Sequence, residues 1–277
     1  MNSNVRAWKQ LFSYLRGFLG KVRWKAHTEA HKTADCLKWW FVKRELAALC
    51  PQEIHATRLK NLAQAFEITE TKVNQYVDEI IADSRFLDQY NATRQALPPH
   101  IDKSTASLAD CITAYVVVRL SKPEVMVETG VHCGGLTAFV LRAMDRSDAG
   151  TLYSIDKPMP GLPPLGELHG QGCLVPSDFR DRWHLINGDS ERDLPALLVR
   201  LGAIDLFNHD SLHAFDFMTM EYETAWSFLR PGGVLMSHDV RINRAFQTFH
   251  EKHQASIVHR SVIYGMGIIR RRADDPS

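Results

Sequence analysis

From Lys122-Pro123 onward, short apolar runs alternate with stretches of helical periodicity. That rhythm constrains the fold more than any other feature of the chain. The runs are EVMVET, TLYSID, WHLING, IDLFNHD and GGVLMSHDV, and between them lie LTAFVLRAMDRS, SERDLPALLVRLG and HAFDFMTMEYETAWSFLR. Strands joined by helices run parallel, because each helix carries the chain back to the starting edge, and a parallel sheet needs cover on both faces. One more helical stretch, NRAFQTFHEKHQ, precedes two strand-like runs, ASIVHRSV and YGMGIIRRR, in close succession. Two strands with no helix between them form a hairpin. The expected architecture is therefore α/β, with a seven-stranded, mostly parallel sheet and one antiparallel strand near the C-terminus.

Residues 1–121 have a different texture, apolar positions recurring near every 3.6 residues without strand alternation. ADCLKWWFVKRELAALC reads as one helix, and PQEIHATRLKNLAQAF as another with Pro51 in its first turn. TETKVNQYVDEIIADSRFLDQYNATRQAL is either one long helix or a broken pair, and STASLADCITAYVVVRL is a further helix. Two units are thus expected: a helical region over 1–121 that caps the cleft or makes a homo-oligomer contact, and a sheet domain over 122–277. Residues 4–25 place Trp8, Leu11, Phe12, Leu15, Phe18, Leu19 and Val22 at helical spacing, with Arg6, Lys9, Arg16, Lys21, Arg23 and Lys25 filling other positions. Such a helix docks on its own domain or a partner subunit, or lies peripherally on an anionic membrane surface such as an inner membrane.

Composition excludes more than it assigns. At 45% hydrophobic and 23% charged the chain is of ordinary globular make-up, and a net charge of +1 gives no reason to expect nucleic acid. Cys36, Cys50, Cys111, Cys133 and Cys173 are scattered, odd in number and without C-x-x-C spacing, which fits a reducing cytoplasm. No apolar run reaches the roughly 18 residues that a membrane span needs.

Ligands of open α/β sheets sit outside the carboxyl ends of the strands. Here those ends read Glu128-Thr129-Gly130, Asp156, Asp189, Asp210 and His238-Asp239. A ring of carboxylates repels a pyrophosphate. The glycine turn G-V-H-C-G-G is not the dinucleotide fingerprint, and no G-K-[ST] marks a phosphate loop. A cationic ligand rich in hydroxyl and amino groups suits the rim better, and S-adenosylmethionine is one.

VETGVHCGGLTAFVLRAM resembles the first motif of the class I S-adenosylmethionine-dependent methyltransferases, whose fold is Rossmann-like. YSID resembles the acid at the second strand end, LINGDS the third strand end, and LRPGGVL the turn before the fifth strand. The resemblance spans residues about 122 to 271. It implies an S-adenosylmethionine-binding domain in which Glu128, Thr129, Gly130 and Gly134 meet the methionine part of the cofactor. Asp156 would accept from the ribose diol, and Asp189 and Ser190 would lie near the adenine. The long segment DKPMPGLPPLGELHGQGCLVPSD would serve as a lid.

IDLFNHDSLHAF and VLMSHDVRIN are similar to the metal-dependent O-methyltransferases of the catechol, caffeoyl-CoA and macrolide-sugar kind. That resemblance implies a Mg2+ or Mn2+ site at Asp210, Asp239 and His238, with His213 as general base. His238 departs from the pattern, since imidazole suits zinc and later transition metals better than magnesium. It is a non-ligand, or the ion is Mn2+ or Fe2+, or the metal has been lost. The expected activity is methylation of a hydroxyl on a sugar, polyketide or other natural product. The alternatives are methylation of a lipid-linked glycan or surface polysaccharide, and a catalytically silent binding protein on the same fold.

Overall fold

The computed structural model describes residues 51–97, 105–157, 170–263 and 265–275. The basic helix expected over 4–25 and most of the expected lid lie outside these residues. Helices α1 (Pro51–Phe66), α2 (Glu70–Ile81), α3 (Ser84–Gln95) and α4 (Leu108–Ser121) precede the sheet. The long stretch after Thr69 is a broken pair, and the break has a local cause. Asp83 caps α3, its carboxylate accepting from the Phe86 amide at 3.4 Å, as Thr69 caps α2 through the Lys72 amide at 3.2 Å.

Seven strands follow: β1 (Val125–Thr129), β2 (Thr151–Asp156), β3 (Trp183–Asn187), β4 (Ile204–His209), β5 (Leu229–Ser237), β6 (Ile257–Ile263) and β7 (Met266–Arg271). Helices α5 (Gly135–Ser147), α6 (Ser190–Leu201), α7 (Phe215–Trp226) and α8 (Ala245–His253) lie between them. The sheet order is β3-β2-β1-β4-β5-β7-β6. Strands β1 to β5 pair in parallel, while β7 runs antiparallel to both β5 and β6. The hairpin read from the two closing runs inserts its second strand beside β5. The order reverses between β2-β1 and β4, which opens a crevice at the carboxyl ends of β1 and β4.

Strand alternation sends neighbours to opposite layers. Met126 and Leu206 face one core with α4 and α5, whereas Val127 and Phe207 face the other with α6, α7 and α8. The first core also takes Leu62, Val73, Val77, Phe86 and Tyr90 from α1, α2 and α3. Helix α4 is almost wholly apolar, and Cys111 through Val118 are all buried. Asp83 pins this layer: Arg142 Nη2 lies 2.5 Å and Arg146 Nη2 3.0 Å from its Oδ2. Among the described residues no helix is long and apolar enough to cross a membrane.

Candidate active site

Backbone bonding continues past the strand tips and sets the crevice. The Gly130 amide donates to Ile155 O at 2.9 Å, and the Asp210 amide to Thr129 O at 2.7 Å. Gly130 has φ +84°, and a Cβ there would overlap the Asp210 carbonyl. Only glycine permits this close approach of β1 to β4. Gly134, at φ +80°, caps α5. The described end of the expected lid fastens onto the turn: the Gly172 amide donates to His132 O and the Leu174 amide to Cys133 O, both at 2.9 Å. Glu128, Gly130, His132, Thr137 and Asp210 line one recess, which Thr105 closes from the helical side.

Glu128 is 1% exposed. Thr137 Oγ1 donates to its carboxylate at 3.0 Å and Ser154 Oγ at 2.7 Å, and Trp183 Nε1 in turn donates to Ser154 Oγ at 2.9 Å. Burial is the largest influence on this carboxyl. With the nearby charges of Asp210 and Asp156 it outweighs the two hydroxyl donors and pushes the pKa up to about 8. The recess therefore holds a carboxyl that ionises more readily when a cation arrives.

The remaining expected cofactor residues divide into two groups. Asp156 Oδ2 accepts from the His132 amide at 3.1 Å and from Gln171 Nε2 at 2.6 Å, so its position relative to the glycine turn is fixed. Asp189 caps α6, accepting from the Glu191 amide at 3.2 Å, and pairs with Lys157 Nζ at 2.9 Å. Thr129 and Ser190 instead turn their hydroxyls onto Glu221 of α7. Glu221 is fully buried, and it also meets His209 Nδ1 at 2.6 Å and Ser211 Oγ at 2.9 Å. Burial alone would raise the Glu221 carboxyl, but the His209 imidazole and the hydroxyl donors hold it lower. This buried acid ties together the tips of β1 and β4 and the start of α6. Glu221 was not singled out from the sequence.

Beyond Asp210 lies a cluster of three imidazole and carboxylate side chains. His238 Nδ1 is 3.1 Å from Asp210 Oδ1 and 3.5 Å from Asp239 Oδ2. His213 Nε2 is 3.6 Å from Asp210 Oδ1. Asp210, His213 and His238 offer ligand atoms within 4.8 Å of one another. Asp239 reaches this place through a left-handed backbone, φ +52°, rare for a residue with a side chain. Asn243 Nδ2 donates to His213 O at 3.2 Å and steadies the loop that carries the histidine. Burial would raise the Asp210 carboxyl, yet His238 and His213 hold it well below the usual carboxylate range. For His238 burial disfavours the charged ring, but Asp210, Asp239 and Asp110 surround it and raise its proton affinity well above that of ordinary imidazole. Asp110, on α4, was not singled out from the sequence.

A divalent cation fits these residues by their own chemistry. His213 Nε2 is buried and has no hydrogen-bond partner, and it faces a carboxylate. The donor set mixes oxygen with nitrogen, which suits Mn2+, Fe2+ or Zn2+ better than the all-oxygen preference of Mg2+.

The sheet order with its one reversed strand, the glycine turn after β1 and the acid ending β2 define the class I S-adenosylmethionine-dependent methyltransferase fold. Residues 127–240 match the family model of a methyltransferase domain. Three solved structures are similar in fold. Cofactor-bound Rv0187 from MTB shares 16% identity over 73% of this chain and 97% of its own, with a TM-score of 0.53. An SAH-bound methyltransferase from Podospora anserina, PaMTH1, shares 16% identity over 73% of this chain and 94% of its own, with a TM-score of 0.51. The O-methyltransferase TomG from Streptomyces achromogenes, involved in tomaymycin synthesis and seen with SAM, shares 16% identity over 69% of this chain and 90% of its own, with a TM-score of 0.50. No curated protein matches the chain.

Proposed function

We propose that the chain moves the methyl group of S-adenosylmethionine to a hydroxyl oxygen of a small molecule, a sugar, polyketide or other natural product, with a divalent cation beside the acceptor. One observation carries this reading. A single recess runs from Glu128 and Gly130 to Asp210, and next to Asp210 stands an unpartnered His213 Nε2. Near-neutral net charge supports a small acceptor over nucleic acid.

Each residue then has a task. The Glu128 carboxylate faces the cationic end of the donor, and the Gly130 backbone admits it closely. Asp156, fixed by His132 and Gln171, is positioned for the ribose diol. In the transfer the carbon–sulfur bond of the donor breaks as a carbon–oxygen bond forms, and the hydroxyl proton passes to His213 Nε2. A divalent cation held by Asp210, Asp239 and His238 would supply Lewis-acid polarisation of the acceptor oxygen. Alignment of donor, acceptor and base accounts for most of the remaining acceleration.

The test is calorimetry with S-adenosylmethionine, followed by turnover on a panel of hydroxyl acceptors with and without EDTA. Donor uptake and EDTA-sensitive formation of S-adenosylhomocysteine are expected. Asp210→Asn and Asp239→Asn should abolish turnover and leave donor affinity nearly unchanged. Full turnover in EDTA would remove the cation from the reading. A protein that takes up no donor in the presence of excess divalent ions is the silent form of the fold.

A further inference from the structure

Helix α4 belongs to the helical layer, outside the residues that match the methyltransferase domain, yet it sends one carboxylate into the cluster. Asp110 Oδ2 lies 3.4 Å from His238 Nε2. Asp110 is 8% exposed and His238 is 6% exposed. An acid in the first turn of a helix has an ordinary explanation, the favourable helix dipole. Ser107 Oγ donates to the same Oδ2 at 2.6 Å, which is a local arrangement of that kind. Neither explains why a second donor for this oxygen should come from the end of β5. A buried carboxylate is costly unless it is matched, and the imidazole edge that matches it is the edge facing away from Asp210 and Asp239.

The two nitrogens of His238 are therefore divided between two environments. Nε2 faces Asp110, while Nδ1 faces Asp210 Oδ1 at 3.1 Å and Asp239 Oδ2 at 3.5 Å. Were a cation held between Asp210 and Asp239, it would displace any proton from Nδ1, and the remaining ring proton would sit on Nε2, where the Asp110 carboxylate accepts it. The Nδ1 lone pair is then presented to the space between Asp210 and Asp239. Metal-bound imidazoles are held in this way, by a carboxylate on the far nitrogen.

We infer that Asp110 is a positioning residue for the cation site. It fixes the His238 tautomer so that Nδ1 is a ligand, and it thereby biases the site toward a divalent ion that accepts nitrogen, such as Mn2+, Fe2+ or Zn2+, over Mg2+. This rests on the metal-assisted reading above and specifies its ion and its outer shell. The helical layer thus contributes to ion selection as well as covering the cleft.

The experiment is equilibrium dialysis of the full chain against Mn2+, Zn2+ and Mg2+ separately, with bound ion measured by elemental analysis and donor affinity measured in parallel. Wild-type protein should bind Mn2+ and Zn2+ tighter than Mg2+. Asp110→Asn should weaken Mn2+ and Zn2+ binding about 10- to 100-fold, the usual effect of losing an outer carboxylate. Donor affinity and melting temperature should stay near wild type, and Asp110→Glu should recover part of the loss. In Co2+-loaded protein the visible absorption should shift on Asp110→Asn, a change that a purely structural role would not produce. Unchanged ion affinity in a folded Asp110→Asn protein overturns the role given to Asp110 alone. Mg2+ bound as tightly as Mn2+ overturns nitrogen ligation by His238. Methyl transfer by a wild-type chain that binds no divalent ion overturns the metal reading and this inference with it.

Discussion

At the scale of single residues the chemistry depends on how burial and neighbouring charge set protonation. Glu128 shows this most directly. Its folded pKa, about 8, lies above the ordinary 4.5, so the folded chain holds a proton there that the unfolded chain has lost. The stability linked to this group is full below about pH 4.5 and declines as pH rises through about 8. A cationic donor entering the recess favours the carboxylate and expels that proton. Calorimetry near pH 7 in buffers of different ionisation enthalpy should therefore show release of up to one proton per donor bound. The release should vanish well above pH 8 and in Glu128→Gln. His213→Ala should lower kcat by about 10²–10⁴ with little change in donor affinity, as expected for a lost general base. A smaller loss in steady-state rates would move the proton elsewhere. Both positions could be picked out in the sequence, Glu128 as an acid near the end of a strand-like run and His213 as the histidine three residues after Asp210. Asp110 and Glu221 were not, because an acid within a helix gives no sign of what lies across from it in space.

At the scale of elements, the site exists because strand tips are brought unusually close. Gly130 is the point of closest approach between β1 and β4. Gly130→Ala would place a Cβ against the Asp210 carbonyl and force a non-glycine residue to φ +84°. We expect a loss of at least about 2 kcal/mol in stability, from the left-handed backbone alone and before counting the overlap. Thermal denaturation and donor titration should both register it, and an unchanged melting temperature would mean that the turn yields. The strands themselves were readable from the alternation of apolar runs with helical spacing. The break between α2 and α3 stayed open in the sequence, because both halves share one helical period; the local cap by Asp83 on the Phe86 amide decides it.

At the scale of the molecule, α1 to α4 share one core with β1, β4 and α5, so the helical layer and the sheet should melt together. Asp83 is one charged link in that interface, its side chain 6% exposed and paired with Arg142 and Arg146. Asp83→Ala removes the α3 cap and one partner of Arg142, which keeps Asp145, and of the part-exposed Arg146, with an expected cost of about 2 kcal/mol. Denaturant unfolding should show one transition shifted to lower midpoint. Two separated transitions would show instead that the layers fold independently.

The sequence alone determined the periodicities, and with them the parallel sheet, the closing hairpin and the acids at the strand ends. Those features are local, since an apolar pattern of period two or 3.6 is written in neighbouring residues. Only the tertiary structure decided which distant groups meet. The pairing of Asp110 with His238 spans 128 positions and that of Thr129 with Glu221 spans 92. Such contacts are fixed by how layers pack on one another, and packing is a property of surfaces that no short stretch of sequence contains.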